Sequence, residues 1–285
     1  MATRKLMKSK KYATPFAKLH AVSLLSQKDR IRKFAHAIGN AVTDGDYVIE
    51  LGAGSGILSL LAAQAGAEKV TAIDINSSSI AYARQAAREN NLDKTMEFVT
   101  SHYLEFKPEQ KADVVICEML SSMLLVEQQV TASFHAVSSF LREEGTIMPR
   151  RARVYAVPVS CHSILERFKW NGLVFPRVPQ TVGSDQFTPL SETNLLAKFD
   201  FSKQTIPEKV DKTLEFSIQQ ESILTGVVGY FEVDLDEETT ISMEDGWRHL
   251  FLPLKKAKHV QEGDSERIRI AYLPGQLDSL AIQLR

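Results

Sequence analysis

The residues with the strongest chemical signature are two acids and three glycines. Glu50, Gly52, Gly54 and Gly56 run in the order acid-x-Gly-x-Gly-x-Gly, and Asp74 stands 18 residues after the last glycine. Glycine lets a backbone come close to a ligand, and a glycine loop between a strand and a helix is where an open α/β sheet takes up a nucleotide-like molecule. A dinucleotide fingerprint, Gly-x-Gly-x-x-Gly, needs glycine at 57, where this chain has Ile57. An acid at the end of the second strand can accept hydrogen bonds from both hydroxyls of a ribose, which makes Asp74 a candidate ligand. His102 and Tyr103 follow the third strand, where an adenine ring would be contacted. The competing reading makes them ordinary surface-loop residues.

A second pair of acids, Glu118 and Glu127, lies nine residues apart. Glu118 directly follows the apolar run Val114, Val115, Ile116 and Cys117, so it falls just past a strand end, in the cleft. Glu127 has two readings: a solvated residue of the next helix, or a second carboxylate at the same site if the intervening loop folds back. Two carboxylates in one place suit a guanidinium. That group is planar, carries five N–H donors and has no ready lone pair. A pair of acids can grip it bidentately, fix its orientation and draw its charge to the gripped nitrogens, which leaves the remaining nitrogen more nucleophilic.

The elements that must hold these residues follow from periodicity. Apolar residues Leu24, Ile31, Phe34, Ala35, Ile38 and Val42 recur at roughly helical spacing across 22–42. Strands are expected at 47–51, 70–73, 96–99 and 112–117, and helices at 57–65, 77–89 and 125–141, with Ser77 or Ser78 capping the second of these and Gly66 closing the first. Such alternation implies a parallel sheet with helices on both faces. Beyond Pro149 the pattern changes. Strand-like runs at 153–159, 213–219, 227–233, 267–272 and 277–284 show the alternation of half-buried antiparallel strands. Residues 171–210 read as a long connection, with a short helix at 191–198 as one option.

Composition bounds the rest. The chain has 285 residues, 44% of them hydrophobic, and a formal net charge of −1. That excludes a disordered or fibrous protein, and it gives no global basic field to hold nucleic acid. Two cysteines, Cys117 and Cys161, are too few for a disulfide framework or a zinc site. They point to a reducing, cytoplasmic setting with no metal, and Cys117 reads as a buried strand-end thiol. No run is long and apolar enough to suggest a membrane-spanning helix. Arg4, Lys5, Lys8, Lys10 and Lys11 form a basic tail or a partner-binding arm. Residues 231–245 hold seven acids and no base, either a charged hairpin edge or a surface for a basic peptide.

Glu50-Leu51-Gly52-Ala53-Gly54-Ser55-Gly56-Ile57-Leu58, with its continuation to Val70, and Cys117-Glu118-Met119 through Glu127 together resemble the protein arginine methyltransferase family, within the class I S-adenosylmethionine-dependent methyltransferases. The resemblance covers roughly residues 12–284. It implies a Rossmann-like α/β sheet followed by a mainly antiparallel, β-barrel-like domain. The segments would be an N-terminal tail and cofactor-covering helical segment (1–45), a cofactor-binding domain (46–149) and a substrate domain (150–285) with a reduced or altered dimerisation arm at about 168–205.

By the same resemblance, Glu118 and Glu127 are the catalytic acids of a double-glutamate loop, and Glu118 also borders the cofactor. Arg32, in Lys28-Asp29-Arg30-Ile31-Arg32, holds the cofactor carboxylate; a plain surface arginine is the alternative. Glu50, Gly52, Gly54, Gly56, Asp74, His102 and Tyr103 complete the set for S-adenosyl-L-methionine and its product S-adenosyl-L-homocysteine. A homodimer and a protein or peptide substrate are implied as well.

Departures from the family pattern stand out. Asp245 and Gly246 occupy the places of a threonine and a histidine before Trp247, and His249 is a poor substitute because it lies two residues beyond that tryptophan. Leu120-Ser121-Ser122 replaces a Met-Gly-Tyr-like run, and the aromatic N-terminal motif survives only as Tyr12 and Phe16. They leave two alternatives to an arginine acceptor: the same fold acting on a small molecule, another side chain or RNA, and a scaffold without catalysis.

Overall fold

The computed structural model describes residues 15–203 and 209–285, with side chains from 18 onward. The basic tail and Tyr12 lie outside the described residues, as does the side chain of Phe16.

Two sheets organise the chain. The first is five-stranded and parallel, in the order β3-β2-β1-β4-β5. Its strands are β1 (Tyr47–Leu51), β2 (Lys69–Asp74), β3 (Met96–Thr100), β4 (Ala112–Cys117) and β5 (Leu141–Met148). β1 is buried at all five positions, the signature of a central strand covered on both faces. Helices Lys28–Ala41 and Ile57–Gln64 pack on each other, and Gln129–Ser139 packs on β4 and β5. Helix Ser77–Glu89 is capped by Asn76 rather than by a serine: the Asn76 Oδ1 accepts the N–H groups of Ser78 at 2.9 Å and Ser79 at 3.1 Å.

The helix expected at 125–141 begins only at Gln129 and ends at Ser139, and β5 follows at once. The apolar residues Met123, Leu124 and Leu125 that suggested an earlier start are buried in an irregular loop. An apolar run alone does not tell a buried loop from a buried helix.

The second half is antiparallel. β6 (Arg151–Ser160), β13 (Ser222–Asp234) and β15 (His249–Val260) form the middle of a curled sheet. Its edges are β9 (Gln180–Val182) and β10 (Thr188–Pro189), with β11 (Asn194–Asp200) also on β6 and β14 (Thr240–Ser242) on β13. Strands β12 (Val210–Ser217), β16 (Ser265–Leu273) and β17 (Gln276–Leu284) make a separate three-stranded sheet. The helix considered at 191–198 is instead β11, because pairing with β6 along Asn194–Asp200 decides the conformation of a segment too short to declare its own period.

Ahead of these strands, β7 (Lys169–Trp170) and β8 (Leu173–Val174) form a short hairpin across Asn171 and Gly172, both at positive φ. One apolar core runs through both halves, joining Ile116 and Leu125 of the first to Phe231, Leu252 and Tyr272 of the second. The junction is a packed interface, and the double-glutamate loop lies in it.

Candidate active site

The chain leaves β1 through Gly52, Gly54 and Gly56, with φ of 75°, 53° and 78°, in the left-handed region that side chains disfavour. Space is also short. A Cβ on Gly56 would lie 2.7 Å from the Ala83 Cβ of helix Ser77–Glu89, so glycine is needed there for helix packing. At Gly52 it would meet the Met119 Cγ at 3.1 Å, and at Gly54 the Ala21 Cβ of helix Pro15–Ser23 at 3.2 Å. The loop is thus walled by the residue after Glu118 on one side and by the N-terminal helix on the other.

Both acids of this motif work on the loop itself. Asp74 accepts the Gly54 N–H with one oxygen and the Asn76 N–H with the other, each at 2.8 Å. Burial pushes its carboxyl up, against the pull of these bonds. Ile75 N–H is a third backbone donor to this carboxylate, which keeps acceptor capacity for an incoming hydroxyl. Glu50 is buried, and its Oε2 accepts both the N–H of Ser59, at 2.8 Å, and the Ser59 hydroxyl. It braces the first turn of helix Ile57–Gln64 from within, and burial pushes it up to about 8.

His102 is half-buried and stacks on Tyr103, with ring centroids 4.5 Å apart. Its Nδ1 accepts the Leu104 N–H at 3.2 Å, and burial lowers the imidazole below its usual value. Tyr103 is not a surface residue. It is 8% exposed and packs against His135 and Thr131 of helix Gln129–Ser139, where its hydroxyl lies 3.4 Å from the Thr131 hydroxyl.

The arginine that reaches the cleft is Arg30. In helix Lys28–Ala41 the buried positions are Arg30, Phe34, Ala37 and Ile38, one helical stripe. Arg32 falls off that stripe and pairs with Asp29 on the exposed face; it is not brought to the other site residues. Arg30 pairs with Glu118, donates to the Gln27 Oε1 at 3.0 Å, and lies over the Trp247 ring with 4.1 Å to the centroid. The stripe was legible in the sequence, and it separates Arg30 from Arg32 where motif spacing does not.

The loop from Glu118 to Glu127 does fold back. The Ser121 hydroxyl accepts the N–H groups of Val126 at 3.1 Å and Glu127 at 3.0 Å. Gln129 bridges the base of the loop by accepting from Met119 N–H and donating to Cys117 O, both at 2.8 Å. Met123 and Leu124 stand at φ 61° and 54°, costly for side-chain-bearing residues and sustained only where the surroundings impose it. Those surroundings come from the second half. Trp247 Nε1 donates to Leu120 O at 3.1 Å, the Tyr272 hydroxyl to Met123 O at 2.8 Å, Gly275 N to Leu124 O at 3.1 Å, and Ser122 donates to Arg248 O.

Glu127 is exposed, at the far end of the loop. Desolvation and the nearby charge of Glu118 push it up to about 7, and Arg30 pulls it down. Glu118 and Arg30 pair directly, and the charge of each is felt at Glu127. Cys117 beside them is buried and pushed up to about 12, which suits an inert thiol.

The acids of 231–245 are largely matched from within. Glu232 and Asp234 pair with Arg153, Glu237 with Arg150 and Arg151, and Asp245 with Lys33. His249 packs between Tyr230 and Phe187, so it does not stand in for the absent histidine. Among the described residues no cluster of potential metal ligands occurs, and no helix is long and apolar enough to cross a membrane. A cavity of about 470 Å³ lies at the opposite ends of the strands, lined by Tyr47, Lys69, Lys94, Glu97 and Asp113. Open parallel sheets bind ligands at their carboxyl ends, so the chemistry belongs at the glycine loop.

The residues present fit an S-adenosyl group. A glycine cradle faces Asp74, which has acceptor capacity for a diol, and a buried guanidinium of a type that pairs with carboxylates lies nearby.

The ribosomal protein L11 methyltransferase (PrmA) family matches residues 35–156. Uncharacterized protein MJ1452 of Methanocaldococcus jannaschii is 28% identical over 92% of this chain and 95% of its own length. Histone-arginine methyltransferase CARMER of Drosophila willistoni is 30% identical over 69% of this chain, which spans only 41% of that protein. Among solved structures, a Trypanosoma brucei PRMT1 enzyme-prozyme heterotetrameric complex with AdoHcy superimposes with a TM-score of 0.76 at 19% identity, over 92% of this chain and 95% of that one. Fold and sequence kinship agree on an S-adenosylmethionine-dependent methyltransferase that is similar to, and divergent from, the protein arginine methyltransferases.

Proposed function

We propose that this chain methylates the guanidinium of arginine in a protein or peptide. The observation that supports the reading is the return of the loop from Glu118 to Glu127, closed by the Ser121 hydroxyl, which turns a second carboxylate back toward the one that Arg30 pairs with.

Bound S-adenosylmethionine supplies an electrophilic methyl group on a sulfonium. Asp74 would accept from the ribose hydroxyls, the glycine loop would admit the amino-acid portion, and Arg30 would pair with its carboxylate. Glu118 and Glu127 would hold two nitrogens of the acceptor and leave the third free, and one of these carboxylates would take up the proton that the methyl displaces. Positioning would be the main contribution of these residues. Glu50 and Tyr103 support the site from the core, and His102 is the half-buried candidate beside the adenine.

The hairpin β7–β8 exposes Trp170, Leu173 and Val174, at 76%, 62% and 76%. Such a patch suits burial against a second copy of the chain, which makes a homodimer part of this reading. A different acceptor is the second reading, favoured by Asp245 and Gly246 at the loop before Trp247.

Calorimetry with S-adenosylhomocysteine, followed by an arginine peptide and its citrulline counterpart, tests both. Binding of the arginine peptide alone supports arginine. Equal binding of both peptides overturns it, and a folded chain that takes no S-adenosylhomocysteine overturns catalysis altogether.

A further inference from the structure

Asp245 is a carboxylate with 6% of its surface exposed, and no step of the proposed reaction uses it. Its Oδ2 accepts the Ser242 N–H at 2.9 Å and the Lys33 ammonium at 2.7 Å. Lys33 stands three residues after Arg30 on helix Lys28–Ala41, on a neighbouring part of its surface. A second contact lies beside this one. The Gln27 amide donates to Gly246 O at 3.3 Å, while the Gln27 Oε1 accepts from Arg30. Gly246 has φ 113°, and a Cβ there would fall 2.6 Å from the Gln27 amide carbon, so glycine is what lets the loop approach the helix.

From Asp245 the contacts close a circuit. Trp247 follows two residues on, stacks on Arg30 and donates to Leu120 O; Leu120 is two residues past Glu118, and Glu118 pairs with Arg30. The helix, the Trp247 loop and the glutamate loop are thus bonded in a ring, and in its Lys33–Asp245 link the Asp245 carboxylate is nearly buried. Removing one partner of such a pair leaves an uncompensated charge.

We propose that Lys33 and Asp245 are positioning residues: their ion pair clamps the loop before Trp247 to helix Lys28–Ala41, and so sets Arg30 and Trp247 against Glu118. The clamp deepens the arginine methyltransferase reading, but its geometry does not depend on the acceptor. It gives a function to the residue found where the related enzymes carry threonine.

The test uses the full chain and three variants: Lys33→Met, Asp245→Asn, and the exchanged pair Lys33→Asp with Asp245→Lys. Trp247 emission is read in a Trp170→Phe background, since these are the two tryptophans of the chain. Lys33→Met and Asp245→Asn should lower kcat by about tenfold to a hundredfold, the range expected from displacing a positioned group. The dissociation constant of S-adenosylhomocysteine should rise as well, because the clamp sets Arg30, but by less than kcat falls, and Trp247 emission should shift to the red. The exchanged pair should recover part of both signals, since the Ser242 N–H still lacks its acceptor. Unchanged kcat and emission in folded Lys33→Met overturns the clamp, as does an exchanged pair no better than either single change. If the wild-type chain methylates no arginine, the acceptor assignment falls, while Trp247 emission across the same variants still decides the clamp.

Discussion

The Arg30 guanidinium lies over the Trp247 ring, 4.1 Å from its centroid, while the same guanidinium pairs with Glu118. Trp247 belongs to the antiparallel half and Arg30 to the helix that packs on helix Ile57–Gln64. Their contact ties the two halves at the point where methyl transfer is proposed. A planar cation between an aromatic face and a carboxylate is also the arrangement an acceptor arginine needs.

Glu127 is the residue whose removal separates binding from chemistry. Glu127→Gln should lower kcat/KM for an arginine peptide by at least about a hundredfold, within the range for a positioned acid or base. It does not pair with Arg30, so S-adenosylhomocysteine affinity should change by less than about twofold. Steady-state kinetics beside calorimetry checks this. Equal losses in both would place Glu127 with the cofactor instead.

The acid range should inhibit the enzyme. The Glu127 carboxyl is raised to about 7, so it is protonated below that pH and grips a guanidinium only above it. The profile of kcat/KM, which reports groups of the free enzyme, should climb through about pH 7. Arg30 lowers this value, so Arg30→Met should move the midpoint upward as well as reduce the rate. A profile flat from pH 6 to 8 would contradict the role of Glu127.

Glu50 should appear in stability rather than in catalysis. Its carboxyl stands at about 8 when folded, against an ordinary value of 4.5. Between those values the folded chain holds a proton that the unfolded chain has released, so this group makes stability fall as pH rises from about 4.5 to 8. Glu50→Gln keeps an acceptor for Ser59 and removes the titration. Denaturant melts at pH 5 and pH 8 should differ less in the variant than in the wild type.

Asp74→Asn should weaken S-adenosylhomocysteine binding by about tenfold or more, equivalent to about 1.4 kcal/mol. The amide keeps one acceptor oxygen but loses the charge and the second acceptor, which serves the Gly54 or Asn76 N–H. An unchanged dissociation constant would remove Asp74 from the ribose.

Gly229→Ala probes the loop without touching either glutamate. A Cβ at 229 would lie 2.1 Å from the Met123 Sδ, and Met123 is fully buried. Overpacking of this kind costs about 1–3 kcal/mol. The thermal midpoint should drop, and the rate should fall further than folding alone explains, because Met123 lies between Glu118 and Glu127.

The sequence carried the parallel sheet well, since β1, β2 and β4 are short apolar runs between clear turns and helix Ser77–Glu89 has one unbroken period. It carried the acid-glycine motif too. What it missed depended on contacts between distant segments. β5 follows its helix with no turn signal, and β11 takes its conformation from β6. The conformation of the glutamate loop is imposed by Trp247, Tyr272 and Gly275, more than a hundred residues away. Spacing chose Arg32, whereas burial on the helix stripe selects Arg30. Lys33 and Asp245 carry no local mark at all, because an ion pair across 212 positions shows only in the folded chain.

The most direct test of the account is the position of the transferred methyl group. Purified protein, labelled S-adenosylmethionine and a cell-extract proteome are incubated together, and modified peptides are fragmented in a mass spectrometer. Label should appear on terminal guanidinium nitrogens of arginine with the wild-type chain and not with Glu127→Gln. Label on another side chain, on a small molecule or on RNA, or equal labelling by Glu127→Gln, would contradict it.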